Sequence, residues 1–411
     1  MTEALRTADV AIVGGGPAGL SAAVALARAG IGRVVVVERE RSAGGVPRHC
    51  GHPPFGVREF GWVMTGPAYA ARLVKEARKA GVTLLEGVTV TALLPGPRLE
   101  VSSDAGRGEI AAQKVLLATG VRETSRAGRL VGGTKPGGVM NTGALQGLVY
   151  LKGMRPFRRP LIVGTELVSF SALLTCRHAR IHPVGMVEPN ASPTARWPSA
   201  LFPRLRGVPL WLGTRVVAIE GRDQVERVVL KGPDEAERAV AADGVVFTGR
   251  FRPDAVLVRQ SHLAYDPATG GPVVDQFGRT SDPDVFAAGN LLRPVETAGW
   301  SAREGVAAAN AIARSLAGTL PPPGDGLSLR GDNAALAYAV PQRIVPGERA
   351  GVIQLRAARP LAGTLSLVAG GRTLARLSME TRPERRALMP LSAIPEDAAG
   401  EAHWHYEAWD A

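Results

Sequence analysis

Cysteine is almost missing from this 411-residue chain, which has only Cys50 and Cys176. That scarcity excludes a Cys-x-x-Cys redox pair, a four-cysteine iron–sulfur set and a thiolate zinc cluster. Electrons therefore have no internal dithiol or cluster to pass through. Lysine is scarce as well, 6 residues against 43 arginines, within a net charge of +12. The arginines are scattered singly rather than in blocks, so no nucleic-acid partner is expected; the charge instead favours anionic cofactors or an acidic partner protein. No apolar run reaches the roughly 20 residues that span a bilayer, so no membrane partner is expected either. The leader Met1–Asp9 is too short and polar for a signal peptide, which makes a cytoplasmic location the expectation. With 45% hydrophobic residues and a mean hydropathy near zero, the length suits two or three globular domains.

What is present begins almost at once. Val10-Ala11-Ile12-Val13 reads as a buried strand, Gly14-Gly15-Gly16-Pro17-Ala18-Gly19 as a glycine turn opening a small-residue helix, and Val34–Val37 as a second strand ending in Glu38. Gly14 permits the tight turn, Gly16 lets backbone approach a pyrophosphate, and Gly19 lets helix and strand pack closely. The helix N-terminus offers unpaired N–H groups to phosphate, and Glu38 is placed to accept from ribose hydroxyls.

Further along, Ala68–Ala80 reads as an amphipathic helix, Thr83–Thr91 as a strand pair, and Lys114–Gly120 as an apolar strand ending in Ala118-Thr119-Gly120. A second unit opens at Pro160-Leu161-Ile162-Val163-Gly164, and Gly244–Gly249 repeats the strand-then-Thr-Gly pattern. Phe286-Ala287-Ala288-Gly289-Asn290 then precedes a helix over about Ser301–Leu316. The fold class is α/β: two Rossmann-like dinucleotide-binding domains, one inserted in the other, plus a small C-terminal β-sandwich. The expected boundaries are 1–122 and 251–320 for the first domain and 123–250 for the inserted one. A Pro/Gly-rich linker at 319–326 precedes the β domain, 327–411. Gly370-Gly371 signals a hairpin there, and Glu401–Trp409 an alternating last strand whose His403 and His405 mark a strand face; no metal is expected.

Over residues 8–318 this pattern resembles the two-dinucleotide-domain flavoproteins of the pyridine nucleotide–disulfide oxidoreductase type. The resemblance rests on Gly14-x-Gly16-x-x-Gly19 with Glu38, on Gly44-Gly45, on Ala118-Thr119-Gly120 and on the Gly289-Asn290 ending. It implies that the first unit binds the ADP half of FAD, that the Gly44-Gly45 loop passes near the pyrophosphate and flavin, and that Asn290, where the family usually has Asp, touches the ribityl-phosphate region. Val90 matches the position whose backbone meets the adenine. The implied cofactor set is Gly14, Gly16, Pro17, Ala18, Gly19, Glu38, Arg39, Gly45, Val46, Arg48, Val90, Ala118, Thr119, Gly120, Gly289, Asn290 and Ala298.

Two departures matter. The second turn, Gly164-Thr165-Glu166-Leu167-Val168-Ser169, keeps only its first glycine, and Glu166 would set a negative charge beside a pyrophosphate, so NAD(P) is not expected to bind. In addition, Gly44-Gly45 leads into Val46-Pro47-Arg48-His49-Cys50-Gly51-His52 rather than a two-cysteine motif. This segment is similar to that of the FAD subunits of heteromeric amine, opine, hydroxyproline and glycerol-3-phosphate-type dehydrogenases. The similarity implies a small-molecule substrate with partner flavoprotein and iron–sulfur subunits, although the cysteine-free C-terminal module departs from the cysteine-rich domain some of those subunits carry. Three roles stay open: such a dehydrogenase subunit, with the C-terminal module as a docking surface; a stand-alone NAD(P)H-dependent reductase or oxidase using Cys50; and an FAD-bound scaffold. The candidate catalytic residues are Cys50, whose basic neighbours would enrich the thiolate, and His49 and His52 as general bases. Each also fits a packed or hydrogen-bonding loop role. Cys176 reads as core, and Trp300 either as a cover for the flavin ring or as an interface or core residue.

Overall fold

The structure, a computed structural model, describes residues 7–195, 201–330 and 334–409. It divides into two compact units: Met1–Gly45, Ala70–Val121 and Pro253–Ala411 form the first, and Val46–Tyr69 with Arg122–Arg252 the second.

The first unit begins with β1 (Thr7–Val13), α1 (Pro17–Arg28) and β2 (Val34–Glu38). Val10–Val13 and Val34–Val37 are buried throughout, as parallel strands covered on both faces require. After α2 (Gly66–Lys79) come β3 (Thr83–Glu86), β4 (Thr89–Leu94), β5 (Arg98–Ser103) and the long β6 (Gly106–Leu117). The sheet order is β3–β2–β1–β6–β5–β4. β6 is the hinge of the sheet: its first residues run antiparallel to β5, and its later ones run parallel to β1 with Val13 opposite Leu117. Dinucleotides bind at such a crevice, outside the carboxyl ends of adjacent parallel strands.

The second unit repeats the plan. β7 (Val139–Asn141), α3 (Thr142–Gln146), β8 (Pro160–Val163), α4 (Leu167–His178), β9 (Gly185–Val187) and β10 (Leu210–Trp211) lead to β11 (Arg215–Glu220), β12 (Arg227–Lys231), β13 (Glu237–Ala241) and β14 (Gly244–Phe247). The parallel order is β10–β9–β8–β14–β7, and β11–β13 form an antiparallel ladder. The segment Val46–Tyr69 belongs to this unit, so the expected first stretch, 1–122, is interrupted. Packing explains it: Gly51 lies so close to the Tyr150 ring that a Cβ there would stand 2.1 Å from it.

The chain then returns to the first unit with β15 (Val285–Ala287), parallel to β6, and α5 (Ala298–Leu316), which starts three residues before the expected Ser301. α5 crosses α1 at close range: a Cβ on Gly305 would lie 2.0 Å from the Ala18 carbonyl oxygen.

The last strands form a sandwich. β16 (Leu327–Arg330), β17 (Leu336–Val340), β18 (Arg343–Ile344), β19 (Val352–Ala357), β20 (Leu361–Ala369), β21 (Arg372–Thr381), β22 (Arg386–Pro390) and β23 (Gly400–Ala408) make a five-stranded sheet, β18–β16–β23–β20–β21, and a three-stranded one, β17–β19–β22. Leu365, Leu367 and Trp404 from the larger sheet share a core with Ile353, Leu355 and Met389 from the smaller. Gly370 and Gly371 both take positive φ (55° and 78°), the geometry of a two-residue turn matching strand twist. On β23, Ala402 and Trp404 point inward and His403 and His405 outward. The linker at 319–326 is less of a boundary than its composition suggests, because Tyr338 and Val340 join the core of the nucleotide domain.

Among the described residues no helix is long and apolar enough to cross a membrane, and no group of three or more His, Cys, Asp or Glu is placed to hold a metal. Replacing Gly305 with Ala should force α1 and α5 apart and cost about 1–3 kcal/mol of stability, read as a lower thermal midpoint.

Candidate dinucleotide site

The first turn is built by close approach. Gly14 has φ +110°, and a Cβ on it would lie 2.4 Å from the Ala118 carbonyl oxygen. A Cβ on Gly19 would lie 2.0 Å from the Gly14 oxygen. Gly16 differs: its nearest neighbour in that direction is the Gly45 Cα at 3.9 Å, so the turn leaves open space there. From the other side, a Cβ on Gly45 would come within 2.7 Å of the Gly16 Cα, and Gly44 N–H donates to the Gly15 carbonyl at 2.7 Å. Pro17 opens α1 at its first position, where a missing N–H costs nothing, and Ala18 packs under Gly289, whose φ is +72°.

Glu38 is buried, and its carboxylate accepts from Gly15 N–H and Glu40 N–H, both at 2.8 Å. Each oxygen keeps a further lone pair for a ribose hydroxyl. Arg39 pairs with Asp254 at 3.0 Å; Asp254 also takes the Thr119 hydroxyl on its carbonyl and gives its N–H to the Gly120 carbonyl, both at 2.8 Å. Val90 lies in β4 opposite Val101, while Val88 N–H donates to the Glu38 carbonyl. The Asn290 side chain bonds the Glu296 backbone in both directions, at 2.7 and 3.1 Å. Ala298 is the first residue of α5, and one turn on, buried Ser301 has a hydroxyl without a hydrogen-bond partner. The Cβ-free space at Gly16, the spare lone pairs of Glu38 and the orphaned Ser301 hydroxyl all suit an FAD; when bound, FAD supplies the ring system that accepts hydride or electrons. Val46 and Arg48, expected in the same set, lie in the second unit.

The second turn keeps the frame and loses the space. Gly164 has φ +111° and donates to the Val187 carbonyl, as Gly14 donates to that of Val37. Because Val163 stands opposite Phe247 as Val13 stands opposite Leu117, Thr248 corresponds to Ala118 and Arg250 to Gly120, so the two Thr-Gly pairs are offset by one residue. Arg250 accordingly carries a positive φ, 48°. Glu166, at the place of Gly16, lays its carboxylate against Gly249 and accepts from Arg250 N–H at 3.0 Å. Burial lifts its pKa, opposed by that hydrogen bond and by Arg129. Arg129 in turn donates to the Thr248 and Gly249 carbonyls at 2.8 Å. Glu188, the counterpart of Glu38, accepts from the Thr165 hydroxyl, from Asn190 N–H at 3.0 Å and from the Thr194 hydroxyl at 3.4 Å.

Around Cys50 the surroundings favour the packed role over the reactive one. The basic neighbours do not enrich the thiolate: burial, aided by the negative charge of Glu123, pushes the thiol up to about 12. The thiol faces the Gln146 side-chain oxygen at 3.5 Å. Glu123 is itself held by Gly143 N–H (2.8 Å) and Gly249 N–H (3.0 Å), and burial raises its pKa. His52 shares its Nδ1 with the Pro53 carbonyl at 2.8 Å, while its buried Nε2 has no hydrogen-bond partner; Arg48 and His49 are half-buried on the turn Val46–His49. Cys176 is core, and its thiol is likewise pushed up to about 12 by burial. Trp300 has the Arg386 guanidinium over its ring at 4.0 Å and that of Arg303 at 5.3 Å.

Sequence reasoning missed Asp254, Ser301, Glu123 and Glu188. Gly15 was legible in the glycine triplet, since a Cβ there would stand 3.0 Å from the Glu38 carboxylate. Glu188 was legible as the acid ending the second unit's strand, as Glu38 ends the first's, whereas Asp254, Glu123 and Ser301 act through residues 20 or more positions away or through burial, and leave no local pattern.

Two parallel-sheet nucleotide domains with an intact and an altered glycine turn define a two-dinucleotide-domain oxidoreductase. Residues 8–305 match the family model described as pyridine nucleotide-disulphide oxidoreductase, and the chain belongs to that family. Hydrogen cyanide synthase subunit HcnB of Pseudomonas aeruginosa is 28% identical over 314 residues; the match covers 68% of this chain and 65% of HcnB, less than two thirds of that subunit's length. Among solved structures, thioredoxin reductase of T. acidophilum shares the fold with a TM-score of 0.64 at 23% identity, covering 76% of this chain and 99% of that one. L-proline dehydrogenase of P. horikoshii does so with 0.59 at 20% identity, covering 76% and 56%.

Two outcomes test this geometry. Gly16→Glu, copying the second turn into the first, should yield folded protein without bound FAD, scored by the ratio of visible to ultraviolet absorbance. Cys50 should resist iodoacetamide at pH 8, because the thiol stays protonated until pH approaches its raised pKa of about 12, with labelling followed by intact mass.

Proposed function

We propose that this chain is the FAD-bearing subunit of a cytoplasmic heteromeric dehydrogenase that oxidises a small amine, amino acid or opine-like substrate, or relays its electrons to partner flavoprotein and iron–sulfur subunits. The observation that carries the reading is the Glu166 carboxylate lying in the second dinucleotide turn. A pyrophosphate there would meet a negative charge and lost space together, which acts against binding rather than merely failing to help it. With a nicotinamide donor disfavoured, reducing equivalents have to come from an organic substrate or a partner protein. The likeness to HcnB, itself called a subunit, supports an assembly.

In this reading Gly14, Gly16 and Gly19 bring backbone against the pyrophosphate, and the start of α1 gives it N–H donors. Glu38 accepts from the ribose. His49 and His52 are the candidate bases for a substrate proton, and the Nε2 of His52 has no hydrogen-bond partner of its own. The competing reading, a stand-alone NAD(P)H-dependent enzyme using Cys50, is disfavoured by the same carboxylate and by a thiol held protonated.

Anaerobic addition of NADH or NADPH to the purified flavoprotein should leave its 450-nm band (the usual absorption of oxidised flavin, about that wavelength) in place. Purification from the native host should bring down a second flavoprotein and an iron–sulfur protein in fixed ratio. Rapid bleaching by NADH that Cys50→Ser abolishes would instead establish the stand-alone enzyme.

A further inference from the structure

The C-terminal sandwich carries a row of polar side chains that the nucleotide-binding reading leaves unused. On the three-stranded sheet, Tyr338 (β17) stands opposite Arg356 (β19), which stands opposite Arg386 (β22); Gln354 lies two residues along β19 on the same face. The residues between them, Ala339, Leu355 and Ala387, turn the other way, into or against the sandwich core. The polar row meets the loop between the Gly289 turn and α5.

Four links run from the row to that turn. Arg356 donates to a Glu296 carboxylate oxygen at 2.9 Å, and Arg386 approaches the other at 3.8 Å. The Glu296 backbone is the partner of the Asn290 side chain in both directions. Tyr338 donates its hydroxyl to the Pro294 carbonyl at 2.5 Å and accepts from Arg356 at 3.0 Å. Gln354 accepts from Arg293 at 2.9 Å, and Arg293, fully buried and paired with Glu304, donates to the Gly289 carbonyl at 3.1 Å.

We propose that this face of the sandwich is an internal clamp on the cofactor turn, with Arg356 and Arg386 as positioning residues acting through Glu296 on Asn290, and Gln354 acting through Arg293 on Gly289. The network holds three guanidinium groups (Arg293, Arg356, Arg386) against two carboxylates (Glu296, Glu304). The surplus positive charge is largely withdrawn from water and favours an anion at the turn. The module thus has a role inside its own chain besides any docking surface it offers. The inference rests on FAD occupying the first dinucleotide turn.

The test uses full-length protein, stripped of flavin and titrated with FAD by fluorescence quenching. The double variant Arg356→Gln/Arg386→Gln should bind FAD about tenfold or more weakly, because the two changes together strand the Glu296 carboxylate. The milder Glu296→Gln, which keeps the backbone bonds to Asn290, should weaken binding in the same direction and guards against a double variant that fails to fold. Arg356→Lys/Arg386→Lys should recover most of the loss, and the visible circular dichroism of bound flavin should change in the Gln variants but not in the Lys ones. Arg372→Gln, at an exposed pair with Asp397 on the larger sheet, is the control and should match wild type. FAD affinity and flavin dichroism unchanged in both Glu296→Gln and the folded double variant, with wild type binding FAD, would overturn the clamp alone. Wild-type protein that takes up no FAD would overturn the cofactor reading and the clamp with it.

Discussion

The Gly14 backbone lies against the Ala118 carbonyl with no room for a side chain, and the first nucleotide site is arranged around that contact. It holds the end of β1 against the end of β6 and aims α1 across the crevice. Gly19 meets the Gly14 oxygen as closely, so the turn is clamped from both sides. Gly45 then closes on Gly16 from the following loop, leaving one open direction, the one an approaching pyrophosphate would use. The buried valines of β1 and β2 supply the hydrophobic drive for this assembly, but they do not specify the turn. Glycine does, because a Cβ at either Gly14 or Gly19 would overlap a backbone oxygen.

The second unit sets a different turn on the same frame. Gly164 repeats the φ of Gly14 within a degree, and both donate to the carbonyl at the end of the next strand. What differs is where carboxylates go. In the first turn one acid, Glu38, is tied to backbone N–H groups and keeps acceptor capacity. In the second, Glu188 is taken up by Thr165, Asn190 and Thr194, and Glu166, at the place of Gly16, accepts from Arg250 N–H. The second unit keeps a buried core and a parallel ladder, with a carboxylate of its own set in the turn. Anion affinity at a helix N-terminus depends on that vacancy as much as on the dipole.

The C-terminal sandwich extends the same logic of shared contacts. Its larger sheet is an ordinary half of a β core, whereas Tyr338 and Val340 of the smaller sheet enter the core of the nucleotide domain. A polar row beside them reaches the loop that carries Asn290. A proline- and glycine-rich linker therefore separates segments of chain without separating independent bodies.

The sequence by itself determined the strand–turn–helix units, the intact and altered glycine turns, Glu38 and the hairpin at Gly370-Gly371. Each depends on neighbours within a few residues, or on a period that a strand or helix imposes. The surroundings of Cys50 come from tertiary structure alone: three basic neighbours in sequence left a thiolate open, whereas burial, and after it Glu123, 73 positions later, push the thiol pKa up. Only the tertiary structure assigned Val46–Tyr69 to the second unit, shifted the equivalence of the two Thr-Gly pairs by one residue, paired Asp254 with Arg39 and set Arg356 against Glu296. The reason is physical: charge and desolvation act through space, and the groups that set a pKa or lock a loop need share no local sequence pattern with it.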